Sequence, residues 1–173
     1  MELSNALKEL EEEFDDSAEN EEELGNYVQL VSFILDDVEY GVDILNVYEI
    51  QKMHQIARLP NSSSFIKGII NLRGDVIPVV DVRARFNLTA VEPTEFSRII
   101  VVDTNGKKLG LFVDDVRKVV RIPENNVSPP SDIITGLSDE FIQGIGRLKD
   151  RLIVILNMIG IADDSKDTLE GQM

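Results

Sequence analysis

The chain has 173 residues and a mass of 19.4 kDa, enough for one domain or two small ones. Its 17 Lys and Arg residues against 32 Asp and Glu residues give a net charge of −15, which disfavours nucleic acid and anionic lipid headgroups as partners. The lack of cysteine excludes a disulfide framework, a thiolate nucleophile and cysteine-based metal sites. No apolar run is long enough to cross a bilayer and no signal-peptide pattern opens the chain, so we expect a cytoplasmic protein without direct membrane insertion.

Residues 1–26 form an acidic segment that differs from the rest of the chain. It holds eleven acidic residues and one basic residue, a net charge of −10. Four of its large apolar residues recur at helical spacing: Leu3, Leu7, Leu10 and Phe14. A short amphipathic helix would be marginal alone, and the acidic run after it repels itself. We therefore predict a flexible extension over 1–26 and, because residues 163–173 lack an apolar face, a disordered C-terminal tail.

Between these ends the sequence predicts four β-hairpins. The runs YVQLVSFIL and VEYGV flank the turn pair Asp36–Asp37. Two further hairpins are predicted across Arg73–Gly74–Asp75 and, near the end of the chain, across Lys149–Asp150–Arg151. The third hairpin in chain order surrounds Asn105–Gly106, a strong signal for a tight turn.

Helical structure is expected to be short. Single turns are predicted at ILNVYEI and SSSF, and short helices at DVRARF and NMIGIA, directly after the second and fourth hairpins. Pro78 lies inside the apolar run VIPVV, which favours an edge strand or a bulge at that place.

Two parts of the chain resemble each other. Residues 65–82, FIKGIINLRGDVIPVVDV, align with residues 141–158, FIQGIGRLKDRLIVILNM, at six identical positions. Upstream, Gly41 aligns with Gly110 only at a different offset. Each half supplies four or five short strands, too few for an open sheet with protected edges. We therefore predict an all-β fold in which each half curls into a small barrel, with an apolar seam or groove where the two barrels pack.

Residues typical of catalysis or metal binding are few. His54 is the only histidine, and without a cysteine or a second histidine it anchors neither a zinc site nor a familiar proton relay. No GxSxG elbow, EF-hand spacing or glycine-rich phosphate loop occurs. The sequence thus indicates no catalytic residue, no metal site and no cofactor, and it leaves a small enzyme on a β-barrel as the alternative from a different functional class.

Two charged residues lie where the halves are expected to meet. Glu49 lies in an otherwise apolar stretch, and Arg73 lies at the tip of the second hairpin. An unpaired buried charge is costly, so a salt bridge between them is one interpretation. Exposure of both side chains to solvent is the other, and the residues alone leave both open.

Four segments in this order and spacing resemble the CheW coupling proteins of bacterial chemotaxis: YGVDILNVYEI, FIKGIINLRGDVIPVVDVRARF, GLFVDDVRKVVRI and FIQGIGRLKDRLIVILN. The resemblance covers about residues 27–162, and INLRG-x-x-IPV-x-D is its most specific block. It implies two packed, intertwined five-stranded SH3-like β-barrels in one domain. It also implies a non-catalytic adaptor that couples methyl-accepting chemoreceptors to the histidine kinase CheA and is recruited to membrane receptor arrays through these partners.

The resemblance also implies functional residues. Receptor binding is expected at four positions in and beside the groove between the barrels: Val47, Glu49, Arg73 and Gly144. Contact with the regulatory domain of the kinase is expected at Gly68 and its barrel neighbours. The resemblance further implies that Glu49 and Arg73 form a salt bridge.

The resemblance is compatible with two alternatives to a free-standing chemotaxis adaptor. The same domain occurs at the C-terminus of CheA and the N-terminus of CheV, but the 173 residues contain no ATP-binding, phosphotransfer or receiver sequence, which favours a free-standing adaptor. The long acidic segment 1–26 departs from the family pattern and leaves open a parallel chemosensory pathway, for example one for surface motility. Asp150, where the first half has Gly74, is a smaller departure.

Overall fold

The computed structural model describes residues 26–52, 55–130 and 137–163. The predicted acidic extension, except for Asn26, lies outside the described residues, as do His54 and all of the predicted tail after Asp163. Among the helices that are described, none has the length and apolar character needed to span a membrane.

Short antiparallel hairpins make up most of the described chain. The strands of the first half are β1 (Tyr27–Leu35), β2 (Val38–Asp43), β3 (Val47–Lys52), β4 (Ile66–Leu72) and β5 (Asp75–Asp81). Those of the second half are β6 (Arg98–Thr104), β7 (Lys107–Val113), β8 (Val116–Pro123), β9 (Val127–Ser128), β10 (Ile142–Leu148) and β11 (Arg151–Leu156). Two short helices follow β5 and β11, namely α1 (Val82–Arg85) and α2 (Met158–Ala162).

The four predicted hairpins are confirmed. Antiparallel pairing joins β1 with β2, β4 with β5, β6 with β7 and β10 with β11. The turns in the second and fourth hairpins have two residues rather than three, because Asp75 and Arg151 already belong to strands. At the tip of the second hairpin, Arg73 and Gly74 have φ angles of 51° and 91°, as a tight type I′ turn requires.

The helices predicted after the second and fourth hairpins are also confirmed. Each begins with a capping side chain, since Asp81 accepts a hydrogen bond from the Ala84 N–H and Asn157 accepts one from the Ile159 N–H. The helical turn predicted at ILNVYEI is only partly right. One 3₁₀ turn covers Ile44–Asn46, and the chain then extends into β3.

The strands form two sheets that exchange hairpins. One has the order β3-β6-β7-β5-β4, and the other has the order β8-β1-β2-β11-β10-β9. The predicted all-β fold of two packed SH3-like barrels is thus present, but the idea that each half closes its own barrel is wrong. Parallel pairing joins β5 to β7 and β11 to β2, so each barrel combines one hairpin from each half. Because the two halves have nearly the same apolar pattern, this pattern does not show whether a hairpin pairs with strands of its own half or of the other half.

The internal duplication is visible as a repeated strand register. In β4 and β5 a bulge separates the pair Ile66–Val80 from the pair Gly68–Val79. In β10 and β11 the same bulge occurs between pairs 76 residues further along the chain. The two hairpins are therefore structural copies, as the alignment predicts.

Phe65 and Phe141 occupy equivalent places in the two barrels. Both side chains are buried. The carbonyl of Phe65 accepts a hydrogen bond of 2.8 Å from the N–H of Asp81, and the carbonyl of Phe141 accepts one of 2.8 Å from the N–H of Asn157. Their predicted equivalence is confirmed.

A central apolar core holds the barrels together. It includes residues of both sheets, such as Phe33 of β1 and Ile100 of β6, while two smaller clusters fill the barrels themselves. A row of aromatic rings crosses this core at centroid distances of 5.6, 5.4 and 5.5 Å, in the order Phe33, Tyr40, Phe86 and Phe141. Burial, followed by the nearby charge of Asp36, raises the pKa of the Tyr40 hydroxyl.

Pro78 lies in β5, which is an interior strand, so the predicted edge strand is wrong and the bulge lies at Ile66–Gly68 of β4 instead. Its partner in β4 is Ile69, whose N–H and C=O both bond to Ala57 on the other side. Pairing of β5 with β7 begins only at Val79. Proline is tolerated there because no ladder hydrogen bond needs its missing N–H.

Backbone bridges help to close each barrel. In the five-stranded sheet, Ala57 exchanges hydrogen bonds of 2.9 and 2.8 Å with Ile69 of β4. In the six-stranded sheet, Ser128 of β9 pairs with Ile145, the equivalent position of β10. The close approach of Ala57 requires glycine at position 68, where φ is 155° and a Cβ atom would collide with the Ala57 carbonyl oxygen.

The substitution Gly68→Ala should therefore destabilise the fold by more than about 3 kcal/mol, because it combines a steric clash with an unfavourable φ. Gly74→Ala is the matched control. Its φ is also positive but nothing lies within 4 Å of the added Cβ, so a loss of about 1 kcal/mol is expected. Urea unfolding of both variants measures the difference. Equal losses would show that the approach of Ala57 is not a constraint.

Candidate partner-binding site

Three of the four expected receptor-binding residues lie on β3 and at the tip of the β4–β5 hairpin. Val47 and Glu49 are buried in β3, with 5% and 1% of their surfaces exposed, while Tyr48 between them points outward. The side chain of Arg73 is 51% exposed. Successive side chains of a strand point to opposite faces, so the Glu49 carboxylate points into the protein while Tyr48 lies on the surface.

The structure brings Glu49 and Arg73 together. Nη1 of Arg73 lies 3.2 Å from Oε1 of Glu49, and Nη2 donates a hydrogen bond of 3.4 Å to Oε2. The contact links β3 with the β4–β5 hairpin, the two ends of the five-stranded sheet. A buried carboxylate needs such a partner, because its desolvation is otherwise not compensated. The pair thus spans the seam where this barrel closes and holds the half-exposed Arg73 side chain at the surface.

The two equivalent positions of the second barrel both hold basic residues. β8 occupies the place of β3, so Lys118 is the counterpart of Glu49, and the turn between β10 and β11 places Lys149 opposite Arg73 in the alignment. Two lysines exclude a salt bridge between these positions. The barrel fold is thus compatible with either arrangement, and the Glu49–Arg73 pair is a particular feature of the first barrel.

Gly144 and Gly68 are equivalent positions of the two hairpins, and both are buried. A Cβ atom at Gly144 would lie 3.0 Å from the Ser128 carbonyl oxygen and 3.1 Å from Cγ1 of Val127. Gly144 belongs to the six-stranded sheet, whereas Glu49 and Arg73 belong to the other barrel. The two glycines therefore lie beneath crossing backbone segments, and a larger residue at either position would act by displacing those segments.

A small groove of about 140 Å³ lies between the barrels, close to the expected receptor-binding residues of both. Its lining includes Asn46, which precedes Val47, and Gln143, which precedes Gly144. The predicted apolar seam between the barrels is present as the central core, and because the apolar surfaces are used there, most side chains that line this groove are polar. Ile159 of the lining is 64% exposed, and Leu45, which precedes Asn46, is 88% exposed.

Arg83 of α1 is a residue that sequence reasoning missed. It is the one buried basic residue in the part of the chain that the structure describes. Its guanidinium donates hydrogen bonds of 2.7 Å to Asp114, 2.8 Å to Asp36 and 2.9 Å to the Thr89 carbonyl. The bond to Asp114 raises the pKa of Arg83 against the opposing effect of burial, and Asp36 adds to the rise. Sequence alone predicted only a short helix at Arg83 and a turn at Asp36.

The chain matches a family model and known proteins. A family model described as the CheW-like domain matches residues 29–166. The chain belongs to the CheW family. It is 34% identical to the chemotaxis protein CheW of Helicobacter pylori over 158 residues, which are 90% of this chain and 95% of that protein. It is 32% identical to the chemotaxis protein CheW of Klebsiella aerogenes over 130 residues, covering 75% of this chain and 78% of the relative.

A solved CheW structure has the same fold. It is the scaffolding protein TtCheW from Thermoanaerobacter tengcongensis, which matches with a TM-score of 0.74 and 38% identity. The match covers 80% of this chain and 89% of that protein. The two intertwined barrels are therefore the architecture of a family that includes a named scaffold.

Removing one member of the Glu49–Arg73 pair should be costly. Arg73→Ala should lower the free energy of unfolding by about 1–3 kcal/mol, because it takes an ion-pair partner from a buried carboxylate. Lys149→Ala, at the equivalent turn with φ near that of Arg73, should change stability by less than about 0.5 kcal/mol. Urea unfolding compares the two variants.

Adding Glu49→Gln to Arg73→Ala should restore part of the loss, because the buried group is then uncharged. If the double variant is as unstable as the sum of the two single variants, Glu49 and Arg73 do not stabilise the fold as an ion pair.

Proposed function

We propose that the chain is a non-catalytic adaptor that couples methyl-accepting chemoreceptors to the histidine kinase CheA in bacterial chemotaxis. The observation that carries the proposal is the match to Helicobacter pylori CheW, which extends over 95% of that protein. The adaptor acts in the cytoplasm and joins receptor arrays through its partners. A parallel chemosensory pathway would use the same fold, and identifying the captured receptor and kinase decides between them.

The proposed receptor surface follows the seam and the groove. Arg73 is held by Glu49 with half its side chain in solvent, so it is positioned to bind a carboxylate or carbonyl of the receptor at little entropic cost. The exposed Leu45, which precedes Asn46 of the groove lining, supplies apolar contact area. Val47 and Gly144 shape this surface from below, since both are buried.

The proposed kinase surface lies along the strands of the β4–β5 hairpin, from Gly68 to Val76, while the proposed receptor surface takes only the tip of this hairpin, at Arg73. Gly68 allows the backbone bridge that holds the outer strand of this hairpin in place. Val76 of β5 is 64% exposed and supplies an apolar contact on the same hairpin. Leu152 of β11, which is 44% exposed, is its counterpart in the other barrel. The duplication thus supplies a second, related surface, as a protein with two partners requires.

Purified proteins test this assignment. Arg73→Ala should weaken receptor binding at least about tenfold, a loss of about 1.4 kcal/mol, because the positioned guanidinium is removed. Binding to the kinase should stay unchanged, and Lys149→Ala should bind both partners as the unsubstituted chain does. Isothermal titration with each partner separately gives the constants. Equal losses for receptor and kinase in a well-folded Arg73→Ala protein would contradict a distinct receptor surface.

Deleting residues 1–26 should leave both interactions nearly unchanged at about 0.15 M salt. Interactions between exposed charges decay over about 8 Å at this ionic strength, so the acidic segment has only a short reach. The same titrations on residues 27–173 check this expectation, with circular dichroism as the control for folding. A large loss of affinity for either partner would show that the segment is part of that interface.

A further inference from the structure

The short helix α1 contacts both barrels through two arginines. It follows β5 of the five-stranded sheet directly, and it is only one turn long. Pairing within the described residues leaves two separate sheets, so no continuous ladder of strands joins the barrels. Their relative position is therefore set by the short chain connections between the sheets, by side-chain packing and by polar contacts across the boundary.

Arg83 forms one of these contacts. Asp114 lies in the two-residue connection between β7 and β8, where the chain passes from the five-stranded to the six-stranded sheet, and it accepts hydrogen bonds of 2.9 Å from Nε and 2.7 Å from Nη2. Asp36 lies in the turn between β1 and β2 of the six-stranded barrel, and it accepts a bond of 2.8 Å from Nη2. A single guanidinium on the helix that follows β5 thus holds an acid of the six-stranded barrel and an acid at the crossing between the barrels, with fixed directions.

Arg85 forms the second contact. Its guanidinium lies 4.1 Å from the ring centre of Phe65 and 4.8 Å from that of Phe141, the two equivalent phenylalanines of the barrels. It also donates hydrogen bonds of 3.2 Å to the Ile161 carbonyl and 2.6 Å to the Asp163 carbonyl, at the end of α2. The same side chain therefore links α1, α2 and both barrels.

The duplicated helix does not repeat this arrangement. In the alignment of the halves, Ile159 and Ile161 of α2 stand where α1 has Arg83 and Arg85. Both arginines are therefore additions to one copy of the helix rather than requirements of the hairpin-and-helix unit. Apolar packing in the central core is non-directional, whereas the guanidinium contacts specify an angle.

We propose that Arg83 and Arg85 are positioning residues that fix the relative orientation of the two barrels. This orientation has a consequence that rests on the proposed function: it sets the orientation of the bound receptor relative to the bound kinase. Weakening the contacts of α1 should then loosen the orientation and reduce the effect of receptor on kinase, while each partner still binds.

Distances between spin labels test the first part in the full chain. Because the protein lacks cysteine, labels can be attached specifically through Lys107→Cys and Arg147→Cys, exposed positions on different sheets. Arg83→Lys retains the positive charge but loses the planar guanidinium. We therefore expect the distribution of distances between the two labels, measured by double electron–electron resonance, to become about twofold broader. Arg85→Lys, which loses stacking between the phenylalanines, should act in the same direction.

Arg151→Lys is the matched control. Arg151 also binds a carboxylate in a forked geometry, at 3.1 and 2.7 Å from the Glu39 oxygens, but both residues belong to the six-stranded sheet. Its distribution should stay narrow. If Arg83→Lys fails to fold, Asp36→Asn carries the test, because the Asp36 side chain is 51% exposed and tolerates substitution. Distributions as narrow as the control in the folded α1 variants would overturn the proposal.

Kinase stimulation by receptor tests the second part. We expect it to fall by at least about fivefold in Arg83→Lys, with each separate binding constant unchanged. A broader distribution together with full stimulation would overturn the functional part. Failure of the unsubstituted chain to bind receptor or kinase would instead overturn the proposed function, and the distance measurement would still decide the structural part.

Discussion

Two parallel strand pairings, β5 with β7 and β11 with β2, are the constraint on which the rest of the structure depends. Each joins hairpins from different halves of the chain, so neither barrel is complete without both halves. Glycine stands at equivalent places in the two pairings, Gly110 opposite Val79 and Gly41 opposite Ile155. Added Cβ atoms there would come within 2.9 and 2.8 Å of side chains on neighbouring strands. The exchange of hairpins therefore makes two small barrels into one cooperative unit with a shared core.

The two barrels have the same fold but different chemistry at equivalent positions. The differing pairs are Glu49 and Lys118, Arg73 and Lys149, and Arg83 and Ile159. A duplicated scaffold thus carries an ion pair at the seam of one barrel and a polar contact between barrels that the other copy lacks. Such divergence suits an adaptor, because two partners require two surfaces that are related in shape and distinct in charge.

Local structure was predictable from the sequence, whereas long-range pairing was not. Hairpin turns such as Asn105–Gly106 are specified by residues that tolerate positive φ, and the helices by their caps. The exchange of hairpins was missed because both halves have the same apolar pattern. Arg83 was missed because a basic residue on a short helix is usually exposed, and its acids lie 47 and 31 residues away in sequence. The residues alone left the pairing of Glu49 with Arg73 open, because these two residues are also distant in sequence. The burial of Gly144 depends on β9, a strand that is not part of any predicted hairpin.

Reconstitution from purified components tests the coupling of receptor to kinase most directly. Receptor-containing membranes are mixed with CheA-type kinase, with and without the chain, and sedimented. We expect the kinase to sediment with the membranes only when the chain is present, and its autophosphorylation then to respond to the receptor. Binding of the kinase to the membranes to the same extent without the chain, or binding of the chain to receptor and kinase only in mutually exclusive complexes, would contradict an adaptor that bridges the two.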